Sequence, residues 1–322
     1  MSHHVTRVDL IIPTRDGVDL LMNCLRSLMR STYTDWRLIV FDDGSREPVE
    51  AVVRAECPTA TTIRSSTNVG LASAVNRSIT AGDSELVVLL NNDTEVTQTW
   101  LAELVACADR HLEAGSIASK LRLMADRAVL HSAGDTYSVR GMPGNRGAWL
   151  VDYGQYDTEG DVFSACGGAA LYRRAALDDV RLRDGFVFDE RLFMYCEDVD
   201  LGWRLQRARW RCVFAPHALV YHALSATGGG ALASYFVSRN IWLVLARSVP
   251  AGLLDTWRPR IAAYQAGRIA RHLCHIREPA ARAALRGTAV GVWMALFETQ
   301  HAAPLPADQR ERILRLLDCD VR

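Results

Sequence analysis

Three acidic clusters carry the chemistry that can be read from this chain. In the first, the apolar run Val87-Val88-Leu89-Leu90 stops at Asn91-Asn92-Asp93. Such a run is a strand covered on both faces, so the polar residues after it emerge at a sheet's carboxyl edge, where open α/β sheets bind ligands. There Asp93 offers a hard oxygen to a divalent cation bridging two phosphates; the same tripeptide is also ordinary turn chemistry. The second cluster is Asp42-Asp43-Gly44-Ser45. Carboxylates repel a bare phosphate, so this edge suits a nucleoside's hydroxyls and base, with a metal neutralising the diphosphate. The third is Glu197-Asp198-Val199-Asp200, set at a helix start by the i,i+4 pairs Val199/Trp203 and Leu201/Leu205. Acids in a first turn cap free N–H groups and complement the helix dipole. A carboxylate beside the apolar wall of Phe193 and Tyr195 could equally gain enough proton affinity to serve as a general base. His222, at a strand end, is either a ligand or an ordinary surface or core histidine. Gly167-Gly168 would let a substrate approach the backbone or let a strand pack closely on a helix.

The pattern around these residues predicts the scaffold. A strand over 8–12 ends in Pro13-Thr14-Arg15-Asp16-Gly17. A helix follows with Leu21, Cys24, Leu25 and Leu28 on one face, and a strand over 37–41 completes a parallel βαβ unit, making Thr14 and Asp43 neighbours. The pattern repeats with a strand over 62–64, the turn Asn68-Val69-Gly70, a helix over 71–80 and a strand over 85–90. A helix over 100–111 and a strand from Ile117 come next. Residues 122–161 read as an irregular insertion on the functional edge. Strand-like pieces over 211–215 and 218–221 flank Pro216, and Thr227-Gly228-Gly229-Gly230 is either a lid hinge or a linker. Helices are expected over 231–247, 253–276, 280–297 and 308–317, with prolines 250, 259, 279, 304 and 306 as punctuation. The alternation of strands and helices calls for a doubly wound, mainly parallel sheet.

Composition narrows the function. The 322 residues carry no formal net charge, yet from Ala231 onward 13 arginines face 7 acidic residues, a net +6. This argues against nucleic-acid binding over the whole surface and makes the last third the candidate for a peripheral membrane contact. Eight cysteines without a C-x-x-C pair suggest a reduced, cytosolic chain with no structural zinc. No window reaches the apolar length of a spanning helix. No G-x-G-x-x-G follows the first strand and no G-x-x-x-x-G-K-[ST] occurs, so neither an ordinary NAD site nor a P-loop is supported.

Placed together, Ile12-Pro13-Thr14-Arg15-Asp16, Phe41-Asp42-Asp43-Gly44-Ser45, Asn68-Val69-Gly70 with Asn76, Leu90-Asn91-Asn92-Asp93, Gly167-Gly168-Ala169, Glu197-Asp198-Val199-Asp200-Leu201 and Val220-Tyr221-His222 resemble, in order over residues 7 to about 240, the family 2 glycosyltransferases of the GT-A fold, especially rhamnosyltransferase-like members. The resemblance implies a Rossmann-like α/β catalytic domain over 1–230 with a mixed, mainly parallel sheet and helices on both faces. Its nucleotide-binding half is about 7–120 and its acceptor-binding half about 121–230, and residues 231–322 form a helical extension. It implies transfer of a sugar, with inversion, from a nucleotide-diphosphate donor to an acceptor hydroxyl. Donor contacts are then expected from Pro13, Thr14, Arg15, Asp42, Asp43, Asn68, Gly70, Asn76 and Asn92, and acceptor contacts from Gly167, Gly168 and Trp203. Asp93 and His222 would hold Mn²⁺ or Mg²⁺, Asp198 would be the base, and Glu197 would orient it or the acceptor. The family's D-x-D is Asn91-Asn92-Asp93 here, leaving one acid in the motif. dTDP-rhamnose is the first candidate donor and UDP-hexoses the next; the acceptor is a lipid-linked saccharide at the inner membrane face or a soluble glycan. The rivals are a catalytically silent nucleotide-sugar binding module and a sugar-phosphate nucleotidylyltransferase. The latter would want a glycine-rich basic loop where Pro13 to Gly17 supplies only Arg15.

Overall fold

A computed structural model describes residues 7–224 and 229–317. The first half alternates strand and helix: β1 (Val8–Thr14), α1 (Val18–Leu28), β2 (Trp36–Asp43), α2 (Val49–Glu56), β3 (Thr61–Ser65), α3 (Leu71–Ala81), β4 (Leu86–Leu90), a short β5 (Thr94–Val96), α4 (Trp100–Arg110) and β6 (Ala114–Leu123). Short pieces follow, β7 (Leu130–Ser132), β8 (Asp135–Tyr137), β9 (Pro143–Asn145) and β10 (Gly160–Val162). Then come β11 (Ala169–Arg173), α5 (Arg174–Asp179), α6 (Glu197–Arg207) and the long β12 (Arg211–His222). Four helices close the described chain: α7 (Gly230–Arg247), α8 (Ala251–Cys274), α9 (Pro279–Leu296) and α10 (Ala307–Leu316).

The main sheet runs β10-β12-β6-β11-β4-β1-β2-β3, with β5 beside β12 and β7 beside β6. β3, β2, β1 and β4 are parallel, β12 and β6 are parallel, and β11 runs antiparallel between β4 and β6. The central strands are buried on both sides, as their unbroken apolar runs require. Leu86, Val88 and Leu90 of β4 join the core beneath α1, α2 and α4, while Val87 and Leu89 join the core beneath α3, α5 and α6.

Helix α6 is shared between two cores. Leu201 and Leu205 pack toward the sheet, whereas Val199 and Trp203 join Ile241, Val244, Leu245, Trp257, Ile261 and Ile313 of the C-terminal helices. The two i,i+4 pairs seen in the sequence thus serve opposite neighbours. An ionic lock reinforces this contact: the fully buried Asp200 accepts from Arg204 at 2.9 Å, Arg247 at 2.5 Å and Ser248 Oγ at 2.5 Å. These partners hold its carboxyl below the usual carboxylate range.

Local expectations differ from the structure in several places. Helices α2 and α5 and strand β5 are additional elements. β12 runs through Pro216 as one strand, with an irregular register between Ala215 and Leu219 that absorbs the missing donor. Pro259 lies inside α8 rather than ending a helix; it is exposed, so water can reach the carbonyl it frees. Of the expected glycine hinge, Thr227 and Gly228 lie outside the described residues, and Gly229 and Gly230 lead into α7. Among the described residues no helix is long and apolar enough to cross a membrane.

Candidate active site

The parallel strands deliver their last residues to one edge. Thr14 ends β1 in register with Asp42, next to Asp43. Asn92 reaches back from the β4 end to donate to Thr14 Oγ1 at 2.8 Å, tying the first and fourth strands together there. Asp43 accepts from the N–H groups of Val69 at 2.6 Å and Gly70 at 3.0 Å, which holds the Asn68-Val69-Gly70 turn over the edge. Asn68 closes that turn on Gly70 N–H at 3.1 Å, and its residue is exposed. Asp42 is spent on Ser45 N–H at 2.8 Å and on Arg64, so it shapes the loop. Arg15 is exposed.

The metal candidates meet through strand pairing. β5 pairs with the end of β12 so that Thr94 faces His222, bringing Asp93 within 3.1 Å of His222 Nε2. Both residues are buried. An oxygen and an imidazole nitrogen are ligand types that fit Mn²⁺, and hard carboxylate oxygen suits Mg²⁺ as well. The sequence analysis did not single out His131, which stands on β7 with Nδ1 3.1 Å from His222 Nδ1. Burial and the neighbouring His222 push its imidazole down to about 3, so it is neutral and can hold the His222 ring by its far nitrogen.

The two carboxyls at the α6 start differ sharply. Asp198 accepts from Gly167 N–H at 2.9 Å and Val199 N–H at 2.8 Å. Burial raises its affinity for a proton while these bonds favour its charged form. Glu197 is also buried, and its Oε2 has no hydrogen-bond partner among the described residues. Burial, and then the charge of Asp198, push it up to about 8. Of the two, Asp198 with its two N–H donors is the readier to ionise, and its charge helps to keep the proton on Glu197. The sign for stability follows. Between the unfolded value near 4.5 and about 8 the native state binds the extra proton, so this group's contribution declines as pH rises through that window. Glu197→Gln is expected to raise the melting temperature at about pH 8 and to leave it nearly unchanged at about pH 4, as calorimetry across pH would show.

Gly167 and Gly168 resolve into protein-on-protein contacts. A Cβ at Gly167 would sit 3.2 Å from Asp198 Oδ2, and one at Gly168 would sit 3.3 Å from the His222 ring and 3.4 Å from Asn91 Nδ2. Consecutive residues thus touch the candidate base and the candidate metal ligand. Pro13, Asn91, Gly167, Glu197 and Asp198 line one void of about 10 Å³, room for roughly one water. Behind it lies the buried Asp135, another residue absent from the sequence reading. Burial and Asp198 raise its carboxyl well above the ordinary range.

Two expected contacts are corrected. Trp203 has no exposed surface: it packs edge-on to Tyr137 and Phe163, both at 5.0 Å, because its face of α6 meets the C-terminal helices, and it does not reach an acceptor. Asn76 uses its whole amide on the loop before α6. It donates to Phe188 O and Glu190 Oε1 and accepts from Val187 and Phe188 N–H, so it positions that loop and has no capacity left for a donor.

That loop is strained and externally held. Phe193, Tyr195 and Cys196 all have positive φ, near 65°, unusual for residues with side chains. Asn240 of α7, fully buried, donates to the carbonyls of Leu192, Met194 and Tyr195 at 2.9, 2.9 and 2.7 Å. Phe193 stacks on Phe236 at 5.2 Å, and Gly70 leaves the room for its ring, since a Cβ there would meet it at 2.4 Å. Asn240→Ala should destabilise the protein by about 1–3 kcal/mol, by leaving buried carbonyls unpaired. It should also lower kcat more than donor affinity, as denaturant unfolding and steady-state kinetics would show.

The fold is one shared with solved glycosyltransferases. A mannosyltransferase of Pyrobaculum calidifontis, solved with GDP-Man and Mn²⁺, superposes with a TM-score of 0.57 over 91% of this chain and 88% of its own at 16% identity. S. aureus TarS, solved with UDP-GlcNAc, gives 0.56 over 80% and 71% at 18% identity. At such identities the likeness is one of fold. The family itself is fixed by sequence: the chain belongs to Glycosyl transferase family 2, whose model matches residues 9–181, and it is a glycosyltransferase. It is 30% identical over 238 residues to an N-acetylglucosaminyl-diphospho-decaprenol L-rhamnosyltransferase of Mycobacterium tuberculosis, across 67% of this chain and 76% of that protein.

Proposed function

We propose that this glycosyltransferase moves a sugar with inversion from a nucleotide-diphosphate donor, dTDP-rhamnose first, to a hydroxyl of a lipid-linked saccharide at the cytoplasmic face of a cell membrane. Residues 1–230 act as the catalytic domain and 231–322 as its extension. The observation that carries the reading is the Gly167-Gly168 dipeptide: one residue abuts Asp198 and the next abuts His222. Consecutive Cα atoms are about 3.8 Å apart, so the proposed base and the proposed metal ligand flank the same dipeptide. The similarity to the rhamnosyltransferase supports donor and acceptor class.

In this mechanism Pro13, Thr14, Asp43, Asn68 and Asn92 frame the nucleoside at the strand ends. Asp93 and His222 would hold Mn²⁺ or Mg²⁺, which when bound supplies positive charge against the departing diphosphate. His131 keeps the His222 ring in place. Asp198, ionised and fixed by two N–H groups, takes the acceptor hydroxyl's proton as that oxygen attacks the anomeric carbon from the face opposite the leaving group. Glu197, neutral and with a free Oε2, donates or accepts a hydrogen bond to orient the acceptor.

The test is incubation with dTDP-rhamnose or UDP-hexoses, Mn²⁺ and a lipid-linked or soluble saccharide acceptor. Released nucleoside diphosphate with an inverted glycosidic product supports the reading. Released pyrophosphate would indicate a nucleotidylyltransferase, and binding without release a silent module.

A further inference from the structure

Helix α9 is built inside out. Its small residues Ala281, Ala284, Gly287 and Gly291 face the protein, and a Cβ at Gly287 or Gly291 would meet the Tyr235 or Arg239 carbonyl oxygen of α7 at 2.2 Å. The two helices therefore approach to backbone contact. Its large apolar residues face outward: Val290, Trp293, Leu296 and Phe297 are 38, 62, 76 and 68% exposed. At 3.6 residues per turn these four fall, together with Arg282 and Arg286, within about a third of the helix circumference, opposite the small-residue face. The Trp293 and Phe297 rings lie 5.2 Å apart, so the patch is continuous. A clustered apolar surface of this kind marks an interaction site.

Charge selects its occupant. From residue 256 to 297 there are seven arginines and a single acid, Glu278. A second copy docked about a twofold axis would set arginine rim against arginine rim. An anionic bilayer offers acyl chains to the aromatic residues and phosphates to the arginines. Just beyond α9, Thr299, Gln300 and His301 wall a cleft of about 490 Å³ with Arg181, Arg183 and Arg207. The Arg207 guanidinium makes no hydrogen bond or ion pair among the described residues, its carbonyl alone accepting from Gln309 Nε2 at 2.6 Å.

We propose that the outward face of α9 is a membrane-docking surface that seats the enzyme on an anionic phospholipid bilayer, its apolar residues entering the interface and its arginines meeting headgroup phosphates. The proposal rests on the lipid-linked acceptor reading for its purpose only. The experiment is flotation of the full chain with phosphatidylglycerol–phosphatidylcholine vesicles and with phosphatidylcholine alone, alongside sedimentation without lipid. Binding to the anionic vesicles is expected, weakened by salt. The pairs Trp293→Ser with Phe297→Ser and Arg282→Glu with Arg286→Glu should each reduce it about tenfold or more, with the melting temperature and turnover on a soluble acceptor unchanged. No binding by the wild type, binding by the variants equal to the wild type's, or a wild-type dimer that the aromatic pair dissolves would overturn it. Turnover is scored separately, so vesicle binding without transfer sinks the proposed function alone, and transfer without vesicle binding sinks the docking surface alone.

Discussion

Asp198→Asn is expected to cut turnover by about 10²–10⁴-fold while donor binding stays within about twofold. The substitution keeps the shape and one acceptor oxygen, so either the Gly167 or the Val199 N–H bond can persist, but it removes the carboxylate proposed to take the proton. Glu197 is a poor substitute, because burial, the larger cause of its raised proton affinity, persists in the variant. Rapid-quench measurement of transfer together with calorimetric titration of the nucleotide separates the two quantities. Turnover near wild type would remove Asp198 from the role of base. In the wild type, activity should fall on the acid side as Asp198 gains a proton. It should fall again above about pH 8 as Glu197 ionises and sets a second negative charge beside the first, a limb that Glu197→Gln should lack.

Asp93→Ala is the second large effect. Asp93 is the one acid of its motif and lies 3.1 Å from His222 Nε2, so on the proposed site its removal would leave one protein ligand and is expected to cost about 10–100-fold or more in Mn²⁺ affinity. The readout is thermal shift with nucleoside diphosphate, with and without Mn²⁺. In the wild type the metal should enlarge the shift through linkage, and in the variant the two curves should coincide. An unchanged metal-dependent shift would move the metal elsewhere. His131→Ala should produce a milder form of the same loss, visible in metal titration without acceptor.

The βαβ frame was legible because its strands are uninterrupted apolar runs and its helices have clean periodicity. Handedness then puts the strand ends Thr14 and Asp43 on one edge, and the end of the apolar run Val87-Val88-Leu89-Leu90 adds Asn92 to it. The C-terminal helices were legible from the prolines that punctuate them, Pro259 apart. His131 was not, because it lies in the short-stranded insertion, where no period marks a face; only the register of β7 on β6, and of β6 on β12, carries it to His222. Asn240 sits in an apolar helix and looks like a weak helix former until its three carbonyl partners appear. Trp203 went the other way: an acceptor contact by resemblance, it lies on the face of α6 that the C-terminal helices cover.

The left-handed turn at residues 193–196 bears on where this enzyme ends. A chain cut after β12 would keep every strand and both acids. It would nevertheless lose the amide of Asn240 and the ring of Phe236, which keep three side-chain-bearing residues in a conformation they would otherwise leave. The aim of Glu197 and Asp198 is thus stored some forty residues downstream of them. Helix α7 is a mould for the turn that leads into the proposed base, and a fragment ending at residue 230 is expected to lose activity.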